Sequence, residues 1–353
     1  AARFAARALG AAGGVHVKIS HRRPDQVVLV FFDGKGANIS REMERKVENT
    51  LAREDFLRAE PHRIHPREPV TGMTEGYLEY LLRQVDLLSL REARLRLVMA
   101  YDPRNLGIYM EALARALNIE IENLDLSGPA GHPLSWEVYL EYLPSLAEKV
   151  CGEGADGGAV VDPNADRLVL VDEKGRVIQD SLLTVLVALV ILKGRRGPVV
   201  VPVTAPRAVE NLARRYGGRV LRTKTAIPDI LEKVIRQEEE GGTGVPGQFL
   251  MSFDALGALA GIFSFAVQNR LSLGDLVDEV PSFYMSQKEV PVSWEFKGMV
   301  IRSLIEDQSG GDLELLDGVK VFHPDGWALI LPDPDEPVCR VFSEGASMEI
   351  AES

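Results

Sequence analysis

Two hydrophobic periods take turns along this chain. Short apolar runs bounded by turn residues predict strands, and longer stretches with apolar residues three and four apart predict helices. Ala1–Leu9 has helical composition, with Phe4, Ala8 and Leu9 on one stripe, and Gly10 to Gly14 end it. It reads as the middle of a helix whose beginning is missing. Val15–Ser20 and Val27–Phe32 are strands on either side of a polar turn, His21–Gln26. Arg41–Arg58 is a charged helix behind a Ser40 N-cap, with Glu42 and Glu44 in its first turn. Helices at Tyr77–Val85, Leu106–Leu117 and Trp136–Val150 alternate with strands at Leu95–Tyr101 and Ile119–Leu124. The alternation resumes with a helix at Leu182–Leu192, a strand at Pro198–Val203, a helix at Ala205–Tyr216 and a strand at Arg219–Thr223. Helices at Pro228–Glu240 and Phe253–Gln268 complete it. Strands alternating with helices predict α/β units with a mostly parallel sheet. From Ser293 the pattern changes to a helix through Met299–Glu306 and strands around Val319–Phe322, Trp327–Leu331 and Val338–Ser343, a smaller α+β unit.

Boundaries fall where the pattern lapses: a proline-rich stretch at Glu60–Thr74, a glycine-rich break at Gly241–Gly247, and Val280–Val292. A chain of 353 residues is long enough for two to four domains. A net charge of −12 argues against non-specific binding to nucleic acid or to an anionic membrane. The longest apolar run, Leu182–Leu192, is too short to span a bilayer and reads as a buried helix. Cys151 and Cys339 lie far apart and fit no metal spacing, so buried thiols in a reducing cytoplasm are expected.

The densest chemistry lies between two apolar segments, at Asp162-Pro163-Asn164-Ala165-Asp166-Arg167. Three side-chain oxygens at alternate positions suit Mg²⁺, and the adjacent guanidinium suits a phosphate on the same ion. The same residues are turn formers, and an Asx-rich turn joining two strands remains the alternative.

That loop and the domain layout together resemble the α-D-phosphohexomutases, the phosphomannomutase and phosphoglucomutase family. The resemblance implies tandem similar three-layer α/β/α domains with mixed sheets, then a smaller α+β C-terminal domain. It implies boundaries at 1–72, 73–178, 179–288 and 289–353. The family's metal loop reads Asp-Gly-Asp-Gly/Ala-Asp-Arg, which places the metal on Asp162, Asn164 and Asp166 and a phosphate on Arg167. Its phosphoserine motif reads Thr-Ala-Ser-His-Asn-Pro, which aligns with Lys18-Ile19-Ser20-His21-Arg22-Arg23. Ser20 then becomes the phosphoryl carrier, with His21 beside it. Arg222 and Lys224, in Arg222-Thr223-Lys224, also look family-like and imply substrate contacts. In such an enzyme a phosphoserine donates its phosphoryl group to a hexose phosphate, and the bisphosphate reorients and returns its other phosphate.

Each motif departs from the pattern. Val30 stands nine residues after His21, where the family has lysine. Asn164 removes one charge from the metal loop, which predicts weakened Mg²⁺ binding, and Pro163 restricts its turn. The family's phosphate loop, Arg-Pro-Ser-Gly-Thr-Glu-Pro, becomes Leu331-Pro332-Asp333-Pro334-Asp335-Glu336-Pro337. Leu331 replaces the cation, Asp333 and Asp335 replace hydroxyls beside Glu336, and Pro334 removes an N–H. The sugar motif Gly-Glu-x-Ser-Gly gives way to Gly244-Val245-Pro246-Gly247-Gln248-Phe249-Leu250. These changes predict a mutase-like module without catalysis, of the kind that follows a sugar-1-phosphate nucleotidyltransferase domain in fused proteins. The alternative is an active mutase using a phosphoserine at Ser20, Mg²⁺ and a hexose phosphate.

Overall fold

The computed structural model describes residues 2–353 apart from 21–24, 65, 67, 125, 127–133, 196–197, 242–246 and 308–311. It divides into two compact units, one of residues 1–179 and 234–274, the other of 180–233 and 275–353. No helix among the described residues is long and apolar enough to cross a membrane.

The first unit opens with a helix, Ala2–Ala8, and an antiparallel hairpin of β1 (Gly13–Ile19) and β2 (Val27–Asp33). Its main sheet is built from β3 (Arg96–Ala100), β4 (Glu120–Asn123), β5 (Gly157–Val161), β6 (Leu168–Asp172) and β7 (Val177–Ile178), in the order β4-β3-β5-β6-β7. β3 runs parallel to β4 and β5, whereas β5–β6 and β6–β7 are antiparallel, so the sheet is mixed rather than mostly parallel. The reason is local. Too few residues separate Val161 from Leu168 for a crossover helix, so the chain turns back on itself at the acidic loop.

Two adjacent glycines show why β5 lies at the centre of three layers. A Cβ on Gly158 would come 2.7 Å from Val150 Cγ2, on the helix Leu143–Glu153, and 3.0 Å from the Val98 carbonyl oxygen. A Cβ on Gly157 would instead meet Phe263, on the helix Ala255–Gln268, at 3.1 Å. Successive residues of a strand face opposite sides, so helices close on both faces where β5 has no side chains. Val98, Leu146, Val150, Val160 and Val171 belong to the core on the Leu143–Glu153 side.

The second unit holds β8 (Pro198–Pro202) parallel to β9 (Arg219–Thr223), with helices Asp180–Arg195 and Ala208–Tyr216. It also holds a five-stranded antiparallel sheet of β10 (Tyr284–Pro291), β11 (Leu313–Glu314), β12 (Val319–His323), β13 (Gly326–Pro332) and β14 (Val338–Gly345). Its order is β10-β14-β13-β12-β11, and Val203, Trp327 and Leu329 are buried together.

Several boundaries differ from the sequence reading. The expected helix Trp136–Val150 is two helices, Trp136–Glu141 and Leu143–Glu153, because Pro144 cannot continue the first and suits the opening turn of the second. The helix at Arg41 ends at Ala52, since it buries no residue that would hold a longer one in place. The boundary expected at Val280–Val292 is largely β10, an edge strand whose exposed Gln287, Lys288 and Glu289 masked its pattern. The Ser40 cap is present, its hydroxyl accepting from the Met43 amide at 3.3 Å.

Candidate functional site

The acidic loop is organised around Asp162, whose side chain is 0% exposed. Its Oδ1 accepts the amides of Asp166 at 2.7 Å and Arg167 at 2.6 Å, and its Oδ2 accepts that of Asn164 at 3.1 Å. This is the Asx-turn solution, in which one carboxylate satisfies the amides of a tight reversal. Burial, with Asp166's charge, pushes the Asp162 carboxyl up to about 6 against those three amides. Ala165 sits at φ 54°, and its carbonyl accepts the Ala255 amide at 2.9 Å, which ties the loop to the start of a helix. The neighbouring Asp254 is half-buried, desolvation raises its pKa, and both its oxygens accept from the Tyr77 hydroxyl, at 2.8 and 2.7 Å.

The hairpin supplies the loop's cation. In β1 the exposed positions are Gly13, Val15, Val17 and Ile19, while Gly14, His16 and Lys18 are half-buried. The apolar side chains therefore face outward and the basic ones inward. The Lys18 ammonium pairs with the Asp166 carboxylate, and its side chain is only 17% exposed. His16, paired in register with Val30, lines a 230 Å³ cavity with Arg3, Tyr77, Asn164, Asp166 and Asp254. Burial, the larger influence, lowers the His16 pKa against the pull of Asp166. Ser20 is half-buried, and its amide donates to the Gln26 carbonyl at 2.9 Å across the hairpin mouth. His21 lies outside the described residues.

The remaining expected residues are distributed as follows. Arg167 places its guanidinium 5.6 Å from the Trp136 ring centroid. Arg222 forms a fork on Glu210, with both nitrogen–oxygen distances 2.9 Å, and also donates to the carbonyls of Pro202 at 3.1 Å and Ala205 at 2.6 Å. Those partners make it a clamp between β9 and the segment after β8. Lys224 is exposed. Gln248, Phe249 and Leu250 open the helix Gln248–Phe253, and residues 242–246 before them lie outside the described residues.

Both carboxylates at 162–166 are engaged by the chain's own donors rather than set for Mg²⁺. That ion takes near-octahedral oxygen ligands, usually one or two carboxylates with water and phosphate oxygens. Asp162 already directs both oxygens at amides, and Asp166 is paired with Lys18. Among the described residues no group of three His, Cys, Asp or Glu is placed to hold a metal.

The loop between β13 and β14 is closed by its own side chains. Asp333 is buried, and its Oδ1 accepts the amides of Asp335 at 2.8 Å and Glu336 at 2.9 Å. Its Oδ2 accepts from Arg340 Nε at 2.7 Å. Burial pushes its carboxyl upward, but those amides and the guanidinium outweigh it and hold the pKa below the ordinary value. The Lys297 ammonium donates to the carbonyl of Asp333 at 2.5 Å and to that of Glu336. A carboxylate on paired amides and a guanidinium is how proteins hold an external anion. Here the anion is Asp333. Leu331 belongs to β13, and Asp335 is exposed.

Lys18, Lys297 and Arg340 were not anticipated. Strand alternation could have found Lys18, which falls on the His16 side of β1. Arg340 stands seven residues beyond Asp333, across the β13–β14 turn, so the hairpin could have shown it, whereas Lys297 comes from 36 residues away and carries no local signal.

Residues 1–58 match the family model described as phosphoglucomutase/phosphomannomutase, alpha/beta/alpha domain I. A phosphoglucomutase/phosphomannomutase of Thermococcus kodakarensis is 27% identical over 99% of this chain and 78% of its own length. A probable phosphoglucosamine mutase of Pyrococcus abyssi is 28% identical over the same shares, 99% and 78%. Among solved structures, a phosphoglucomutase/phosphomannomutase family protein of Burkholderia thailandensis superposes with a TM-score of 0.74. It is 21% identical, with 97% of this chain and 74% of that one covered, and it shares the fold.

Proposed function

In this homologue of the α-D-phosphohexomutases, we propose, the fold is retained as a mutase-like module that does not transfer phosphoryl groups. The observation that carries this reading is the occupied anion seat at 331–337. Asp333 takes the amides and the guanidinium that a substrate phosphate would need, and Leu331 offers no cation to replace them. Asp335 and Glu336 add negative charge beside the seat, which repels a doubly charged ligand at short range. Arg222, held by Glu210 and by backbone carbonyls, supports the same reading, because moving to a substrate would break those bonds. A module of this kind serves a neighbouring domain, and the sugar-1-phosphate nucleotidyltransferases are the partner class that the resemblance suggests.

The test is a mutase assay on the full chain with Mg²⁺, a hexose-bisphosphate activator, and mannose 1-phosphate and glucose 1-phosphate in turn. The expected result is no turnover by folded protein. Turnover abolished by Ser20→Ala would establish instead an active mutase that holds phosphate by other groups.

A further inference from the structure

We propose that Lys18 is a built-in substitute for a divalent cation, so that the 162–167 loop is charge-balanced by the chain itself and takes no metal. Three observations in the first unit carry the inference. The outward turn of Val15, Val17 and Ile19 forces His16 and Lys18 to the inner face of β1, so the hairpin delivers an ammonium to the loop by register alone. That ammonium pairs with Asp166, the more accessible carboxylate of the loop. The other carboxylate, Asp162, is wholly buried with its oxygens on three amides of the same loop. A divalent ion would have to displace Lys18 from Asp166, and three loop amides already take most of the acceptor sites of the buried Asp162. Mg²⁺ sites with one or two carboxylates complete their shell with water and phosphate oxygens, so the loop alone would hold the ion weakly. An ammonium has no such coordination demand; it needs one carboxylate and supplies one charge.

The inference goes beyond the functional reading above, which rests on residues 331–337, and the two can fail separately. Manganese is the probe, because the electron paramagnetic resonance signal of the free aqueous ion disappears on binding. Mn²⁺ is titrated into the full chain, into Lys18→Ser, and into Lys18→Ser with Asp166→Asn. Wild type is expected to leave the free signal unchanged up to about 1 mM, the weak end of the range for oxygen-ligand sites. Lys18→Ser is expected to take up Mn²⁺ saturably, and Asp166→Asn to abolish that uptake. Saturable uptake by wild type that is lost when Asp166→Asn is made alone and titrated in the same way overturns the proposal. So does a folded Lys18→Ser that binds no more Mn²⁺ than wild type. Should Lys18→Ser fail to fold, the thermal midpoint of wild type decides: unchanged by Mg²⁺ or by chelator it supports the proposal, and raised by Mg²⁺ it overturns it.

Discussion

Lys320 on β12 is buried, with its ammonium donating to the Val203 carbonyl at 2.8 Å and standing 3.7 Å from the Trp327 ring centroid. Burial, followed by the charge of Arg222, lowers its pKa from 10.5 to about 8. Between those values the unfolded chain binds more protons than the folded one, so stability rises with pH across that window. Below the lower value the folded protein carries the full cost of the buried charge, on the order of 2 kcal/mol after allowance for the hydrogen bond and the ring. Urea midpoints at pH 7 and pH 10 should therefore show wild type gaining on Lys320→Met. A constant difference between the two proteins would mean that the amine is solvated. Lys18 and Lys297 likewise end on oxygen acceptors inside a loop.

At the scale of elements, β5 decides where the acidic loop sits. Its two glycines admit helices on both faces, and the strand then delivers Asp162 to the end of a fully buried segment. Gly158→Val should cost about 3 kcal/mol, because the added side chain meets Val150 and the Val98 carbonyl in a core with no room to yield. Gly152, on the helix Leu143–Glu153, has nothing within 4 Å of the point where a Cβ would stand, so Gly152→Ala should instead gain about 0.5–1 kcal/mol from helix propensity. Equilibrium urea unfolding of the two variants checks both signs. The β1–β2 hairpin shows how an element can mislead a sequence reader. Its apolar residues mark it correctly as a strand pair, yet Val17, at 60% exposure, faces outward while Lys18 faces in. Burial normally assigns the faces the other way round, so the loop's cation stands on the face that the apolar pattern would give to solvent.

For the whole molecule, the net charge of −12 governs long-range behaviour. The full chain should pass through a heparin column without retention at about 0.15 M salt, where the Debye length is roughly 8 Å and only a local basic patch could hold it. Retention would reveal such a patch. Two compact units, each assembled from two chain segments, describe the fold at this scale. The expected α/β class and mixed sheets are present, and the strands expected near the C-terminus pair as an antiparallel sheet. The split of the 136–153 region into two helices was also readable in principle, since Pro144 announces it.

The sequence by itself determined what depends on neighbours along the chain. The strand periods, the Ser40 cap, the Asx-rich reversal at Asp162 and the loss of Arg, Ser and Thr from 331–337 are all local properties of residue type and spacing. Only the tertiary structure decided what occupies those loops. Asp333 could be read as a charge that repels phosphate, but its role as the anion on amides 335 and 336 depends on Arg340 arriving from β14. Asp166 could be read as a metal ligand, but its pairing with Lys18 joins positions 148 residues apart. Arg222 could be read as a substrate contact, and the structure places it on Glu210 and on the Ala205 carbonyl. In each case the residue type set the charge and the packing of elements set the partner, across one turn for Asp333 and across 148 residues for Asp166, because hydrogen-bond geometry is specified by where elements meet and not by their order along the chain.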